Sequence, residues 1–218
     1  WSYENVTSTL CSCLATHAVM QFKYGQKRQP VGKKHWGVFA HEVVERGHPL
    51  VAGVNTRFDI PHSRFNEISE SQFTEAGVKV LANSKIGAHL AVSPDLFRIV
   101  FFQGHPEYDT ISLLKEYKRE VSLYCQDREL SYPPMPTNYL SLQNQAILNE
   151  YQTKLVSGDM SIQDFPEALI ASTLDNTWHD SANAIINNWI GCVYQLTNEK
   201  INKPFMGGID PENPLGLI

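Results

Sequence analysis

"VTSTLCSCLATHAVMQFKYG", residues 6–25, decides how the chain is read. Residues 6–13 are short, β-branched and apolar, the composition of a buried strand. From there Leu14, Ala15, Ala18, Val19 and Phe22 recur at helical spacing until Gly25, a residue suited to a C-cap. The stretch predicts a strand, a sharp turn at Cys13 and a helix over residues 14–24. A strand feeding directly into a helix is the building unit of α/β folds, and that is the fold class expected.

Outward from this unit, residues 25–34 read as a polar loop, and residues 36–44 and 48–55 as two strands joined by the turn "ERG". Residues 55–69 contain Pro61 and little periodicity, so an ordered loop is expected. Three short apolar runs follow at residues 78–82, 88–92 and 97–102, punctuated like neighbouring strands. Residues 110–125 place Ile111, Leu114, Tyr117, Val121 and Tyr124 on one face and predict an amphipathic helix. The three prolines of residues 131–139 make that segment a connector. Helices are expected over residues 141–156, 161–171 and 176–196. The last carries an apolar stripe of Trp178, Ala182, Ile185, Ile186, Trp189, Ile190 and Val193. The Pro- and Gly-rich tail, residues 202–218, should be irregular.

With 218 residues and 42% hydrophobic content, the chain can bury an ordinary core. Its net charge is -5 and charges of both signs are interspersed, which argues against a nucleic-acid surface. No apolar stretch approaches the roughly 20 residues needed to cross a bilayer, and the first residues do not resemble a signal peptide, so a cytoplasmic protein with no membrane partner is expected. Four irregularly spaced cysteines and eight scattered histidines suggest neither a disulfide framework nor a structural metal. The chain opens on Trp1 without an initiating methionine and reads as part of a longer protein whose sheet would be completed by earlier strands.

A cysteine between a buried strand and the first turn of a helix gains the positive end of the helix dipole, which favours the thiolate. Backbone N–H groups there also face any oxyanion formed. Cys13 therefore fits a nucleophile elbow with the Leu14 N–H as half of an oxyanion hole. The plain alternative is the commonest fate of a free cysteine, a buried small hydrophobe. Cys11 reads as core. His105 lies in "QGHPEYD", residues 103–109, just after an apolar strand. Pro106 restrains it and Glu107 lies near, an arrangement suited to a general base with an orienting carboxylate. A surface turn with an acidic neighbour is the plain alternative. Arg119, Lys34 and Ser63 read by themselves as surface residues.

"TSTLCSCLATHAVMQFKYG" (7–25), "FDIPHSRF" (58–65), "QGHPEYDTISLLKEYKREV" (103–121) and "NTWHDSANAIINNWIGCVYQLT" (176–197) resemble, in the same order and near-family spacing, the homoserine O-acyltransferases of the homoserine transsuccinylase type. The resemblance covers most of the chain. It implies a class I glutamine-amidotransferase-like, flavodoxin-like α/β sheet flanked by helices, with residues 1–218 as the C-terminal portion of a single catalytic domain. It also implies transfer of an acyl group from an acyl-CoA to the hydroxyl of L-homoserine, the committing step of methionine biosynthesis. On this resemblance Cys13 is the acyl-thioester cysteine, His105 the proton acceptor and Glu107 the supporting glutamate. Lys34, Ser63 and Arg119 are substrate-binding, Arg119 being suited to grip a carboxylate bidentately. No cofactor is implied beyond acyl-CoA as substrate, and a homodimer is compatible.

Two departures stand out: Leu14 replaces a Trp common in relatives, and residues 136–176 are longer than expected. Succinyl-CoA is the expected donor and acetyl-CoA the alternative. L-Serine is an alternative acceptor, because one methylene is worth only about 1 to 3 kcal/mol of discrimination. An amidotransferase-like glutaminase shares the Cys-His-Glu logic, but the cysteine lacks the flanking glycines of a G-x-C-x-G elbow. A non-catalytic domain would have no need of Cys13, His105 and Glu107 together.

Overall fold

The computed structural model describes residues 1–126, 131–197 and 206–217. In chain order the elements are α1 (Ser2–Asn5), β1 (Thr9–Ser12), α2 (Leu14–Tyr24), β2 (Gln29–Val43), a 3-10 turn (Pro49–Val51), β3 (Arg57–Glu67), α3 (Glu70–Glu75), β4 (Lys79–Asn83), β5 (Leu90–Val92), β6 (Ile99–Phe102), α4 (Ser112–Cys125), α5 (Leu142–Ser157), a second 3-10 turn (Ile162–Asp164), α6 (Glu167–Ala171) and α7 (His179–Leu196). The chain divides into two compact units, one of Trp1–His35, Ala40–Pro106 and Thr177–Ile218, the other of Trp36–Phe39 and Glu107–Asn176. Among the described residues no helix is long and apolar enough to cross a membrane.

Among the described residues the sheet has six strands, in the order β1-β6-β5-β4-β2-β3. β1 and β6 run parallel, Thr9 opposite Ile99 and Ser12 opposite Phe102, whereas β6 with β5, β5 with β4, and β4 with β2 are antiparallel. The fold is thus α/β, the class the sequence leads one to expect, and its sheet is mixed. Cys11, Met20, Ile68, Phe73, Val78, Ala88, Ala91, Ile99 and Phe101 form one core cluster on the sheet, with the Tyr24 ring edge-on to Phe101 at 6.4 Å. The tight β5–β6 connection is held by Asp95, whose Oδ1 accepts from Ser93 Oγ and the Phe97 N–H, both at 3.0 Å. α7 packs in the same unit, with Trp178, Ala182 and Ile185 buried and Asn188 Nδ2 donating to the Ala52 carbonyl at 2.8 Å.

The second unit is built on α4, which buries Leu113, Leu114, Tyr117 and Val121. Its Tyr117 ring packs on Trp36 and Phe165. α5 starts at the Ser141 cap and stops at Gly158 in the left-handed region, and the proline-rich connector joins residues 36–39 through a bridge between Gly37 and Thr137.

Several expectations change. Residues 29–34 are strand, not loop, so Lys34 lies on β2. The early part of that strand is exposed and carries no apolar alternation to reveal it. The expected second strand at residues 48–55 is a 3-10 turn, begun by Pro49 and capped by His48, whose Nδ1 accepts the Leu50 N–H at 3.2 Å. The expected loop at residues 55–69 contains β3. Alternate residues Phe58, Ile60, His62 and Arg64 are buried there, but two of the four are polar, which hides the period from hydropathy. Helix 161–171 is split, since Pro166 cannot sit inside it. Helix α2 has the expected bounds but the opposite buried face. Thr16, His17 and Met20 are inside, whereas Leu14 is 63% and Phe22 95% exposed. In the tail, residues 206–217 are turns, and residues 202–205 and 218 lie outside the described residues.

Candidate active site

Cys13 sits where β1 ends and α2 begins, at φ 47° and ψ -104°. A non-glycine residue so placed costs about 1 to 3 kcal/mol and persists only when its surroundings over-determine it. Here the Cys13 N–H donates to the Phe102 carbonyl at 2.8 Å, and the His17 N–H donates to the Cys13 carbonyl at 3.2 Å. Buried Thr16 Oγ1 lies 2.9 Å from the Cys11 carbonyl and 2.8 Å from the Phe102 carbonyl, its single proton serving one of them at a time. The product is a strand-to-helix elbow that leaves Cys13 partly exposed. The first-turn N–H groups of α2 have no intrahelical acceptor, and with the helix dipole they favour negative charge at this point. Cys11 is different: it is buried in the core, and burial pushes its thiol up to about 11. The two neighbouring cysteines are therefore one structural residue and one candidate nucleophile.

Since Ser12 and Phe102 are in register on parallel strands, the residues after Phe102 leave the sheet on the same side as the elbow. Gln103 follows, fully buried, with both ends of its amide hydrogen-bonded. Oε1 accepts the Ile68 N–H at 2.7 Å, and Nε2 donates to the carbonyls of Ile68 at 2.9 Å and Ala88 at 2.8 Å. The Gly104 N–H donates to His89 Nδ1 at 3.3 Å, and the His105 N–H to the Pro61 carbonyl at 2.8 Å. That last bond uses the carbonyl of the proline that argued against a strand. His105 is partly exposed, like Cys13.

β3 contributes the next residues. On its buried face Arg64 Nε donates to His62 Nδ1 at 3.2 Å, and Nη1 donates to the Asn66 carbonyl at 3.1 Å and to Glu67 Oε2 at 3.2 Å. Burial lowers the pKa of this guanidinium, opposed by Glu67 and by Cys13, which lies within its electrostatic reach. On the opposite, more open face stand Ser63 and Phe65, two residues apart along the strand. Lys34 Nζ lies 5.3 Å from the centre of the Phe65 ring.

The first unit thus carries Cys13, Lys34, Ser63 and His105, while Glu107 and Arg119 belong to the second. Glu107 is exposed. Arg119 lies on the outer side of α4, its side chain 62% exposed and Nη2 2.8 Å from Glu120 Oε1. Nearby Glu116 accepts from the Tyr108 hydroxyl at 2.6 Å and from Trp36 Nε1 at 3.0 Å. Among the described residues no three histidine, cysteine, aspartate or glutamate side chains are arranged to hold a metal ion.

A family model described as homoserine O-succinyltransferase matches residues 1–199. The chain belongs to the homoserine O-succinyltransferase family. A homoserine O-succinyltransferase of Nitrosococcus oceani is 63% identical over 221 residues, and one of Allochromatium vinosum 58% identical over 221 residues. Each alignment takes in 100% of this chain, and the chain spans 62% of each relative's length. A solved glutamine amidotransferase structure from Thermotoga maritima overlays 84% of this chain and 61% of its own, with a TM-score of 0.46 and 10% identity. The family assignment rests on the sequence matches.

Within this homoserine O-succinyltransferase family member, Thr16 bonds the strand ends beside Cys13, Gln103 and His89 bond the backbone on either side of the Gly104 turn, and Arg64 bonds within and beside β3; residue spacing singles out none of the four. Gln103 carried one readable signal. An amide directly after an all-apolar strand and before Gly-His-Pro has to find buried partners.

Proposed function

We propose that the protein containing this chain transfers a succinyl group from succinyl-CoA to the hydroxyl of L-homoserine through a thioester on Cys13. The supporting observation is the elbow: Cys13, at positive φ before α2, ends a strand parallel to and in register with the one that leads to His105. His105 takes the Sγ proton and the thiolate attacks the thioester carbonyl. First-turn N–H groups, that of Leu14 among them, receive the oxyanion. As the intermediate collapses, the bond to the CoA sulfur breaks, CoA leaves with the proton from His105, and acyl-Cys13 remains. Homoserine then gives its hydroxyl proton to His105, the oxygen attacks acyl-Cys13, and the Cys13 thiolate departs and regains that proton. Both half-reactions balance without a redox step. Glu107 is the supporting carboxylate, Arg119 the binder of the amino-acid carboxylate, and Lys34 and Ser63 further substrate contacts, as the family resemblance implies. We read the mixed sheet as part of a flavodoxin-like, class I glutamine-amidotransferase-like catalytic domain.

The test is intact-mass spectrometry of the complete natural polypeptide after incubation with succinyl-CoA. A succinyl adduct that is absent from Cys13→Ala and discharged by L-homoserine is expected. No adduct would overturn the proposal, an adduct from acetyl-CoA alone would reassign the donor, and discharge by L-serine alone would reassign the acceptor.

A further inference from the structure

Behind the His105 loop three imidazoles, His41, His62 and His89, pack against one another, none more than 1% exposed. The His41 and His62 rings stack with centroids 5.0 Å apart and planes 9° apart. His89 stands edge-on to both, at 5.2 Å from His41 and 5.9 Å from His62. Phe58 and Phe102 close the cluster, Phe102 5.4 Å from His89. Such a cluster invites a metal reading, but no group of this kind is arranged to hold an ion among the described residues.

Hydrogen bonds give the cluster another meaning. Arg64 Nε and the Gly104 N–H can only donate, so His62 Nδ1 and His89 Nδ1 must both accept. Each ring then carries its proton on Nε2. Burial first, and the charges of His41, His105 and Arg64 after it, hold both rings well below the usual imidazole pKa and therefore neutral. A proton on either Nδ1 would turn an acceptor into a donor facing a donor. It would also set a second positive charge beside His105 when that residue is protonated.

The same two rings grip the loop that carries His105. His89 takes the Gly104 N–H on its ring and the Gln103 N–H on its carbonyl, the latter at 2.8 Å. From the other side, a β-carbon on Gly104 would stand 2.5 Å from Ile60 Cγ2 and 2.7 Å from His62 Nε2, nearer than real β-carbons approach anything. Only a residue without a side chain lets the loop lie this close to His62.

We propose that His62 and His89 are positioning residues, a neutral and tautomer-locked pair that clamps Gly104 and so fixes where the His105 ring stands relative to Cys13. The proposal rests on His105 being the base of the reaction above. A misplaced catalytic group loses between about tenfold and a hundredfold in rate. The test compares His89→Leu, which removes the acceptor, with His89→Asn, whose amide oxygen takes the place of Nδ1, and with Gly104→Ala. Each is made in the complete polypeptide, and acyl-Cys13 formation is timed against succinyl-CoA concentration. His89→Leu and Gly104→Ala should lower the maximal acylation rate by that factor with the half-saturating concentration unchanged, and His89→Asn should restore most of it. Wild-type rates in His89→Leu or Gly104→Ala would overturn the proposal, as would a His89→Asn enzyme as slow as His89→Leu. If His89→Leu does not fold, Gly104→Ala against His89→Asn decides on the same criterion. A wild type that never forms acyl-Cys13 overturns the acyltransferase reading as well, whereas an acylating wild type with unaffected variants overturns this inference alone.

Discussion

Residues 6–25 and residues 26–67 are neighbours in the chain and both supply candidate site residues, yet one is readable and the other is not. In the first, β1, the turn at Cys13, α2 and the Gly25 cap fall where apolar spacing and turn chemistry put them. In the second, exposed β2 residues look like loop, a capped Pro-Leu-Val turn looks like strand, and β3 hides because His62 and Arg64 fill buried positions. The difference lies in what is buried. An apolar side chain in a strand announces its burial by itself, although Leu14 and Phe22 on α2 stay exposed. A polar one is buried only if a partner from elsewhere in the chain satisfies it.

The largest effect is expected at Cys13, in the first region. Cys13→Gly removes the nucleophile and also relaxes a φ of 47°. Turnover should fall roughly 10⁴-fold or more, while the melting temperature stays at or above the wild-type value. A clear drop in melting temperature would show that Cys13 packing, and not strain, dominates the elbow.

The second region should make itself felt in acid. His62 and His89 are held neutral by burial, and burial also lowers His17, His35 and His48. Unfolded imidazoles gain protons near pH 6.5 and these folded ones only lower, so the unfolded state binds more protons as pH falls. Their contribution is whole above about pH 6.5 and is lost below it, by up to about 1.4 kcal/mol per pH unit for each of the fully buried pair His62 and His89. Urea unfolding at about pH 7.5 and about pH 5.5 should show the lower midpoint in acid. The loss should be smaller in His89→Asn, and an equal loss there would remove His89 from the account.

The smallest effect expected is at Thr16, a buried polar anchor of the readable region. Thr16→Val keeps the shape of the buried side chain and deletes its hydroxyl contact with the Cys11 and Phe102 carbonyls. A loss of about 1 kcal/mol in denaturant unfolding is expected. No loss would mean that the backbone bond from Cys13 to Phe102 holds the elbow without help.

Legibility of the candidate residues follows the same division. Cys13 could be singled out because strand, turn and helix meet there, and Cys11, which reads as core in the sequence, is buried in the core. The Gly-His-Pro turn marked His105 as noteworthy, but not the Gln103, His89 and Pro61 groups that anchor it. Those bonds span 35 residues to Ile68, 15 to His89 and a longer stretch to Pro61, beyond the reach of any local pattern. Even α2, correct in its ends, turns inward Thr16 and His17 where spacing selects Leu14 and Phe22.

The sequence by itself determined the strand-turn-helix unit around Cys13, the apolar strands of the sheet centre, the amphipathic helix after His105 and, through its motifs, the family. These are encoded in spacings of a few residues, where backbone geometry and apolar burial act together. Tertiary structure alone decided that β3 is a strand, that Lys34 rides on β2 and which face of α2 is inside. It also decided that three buried histidines stand behind the candidate base. Each depends on polar groups finding partners far along the chain, and only the folded sheet brings those partners within hydrogen-bonding distance.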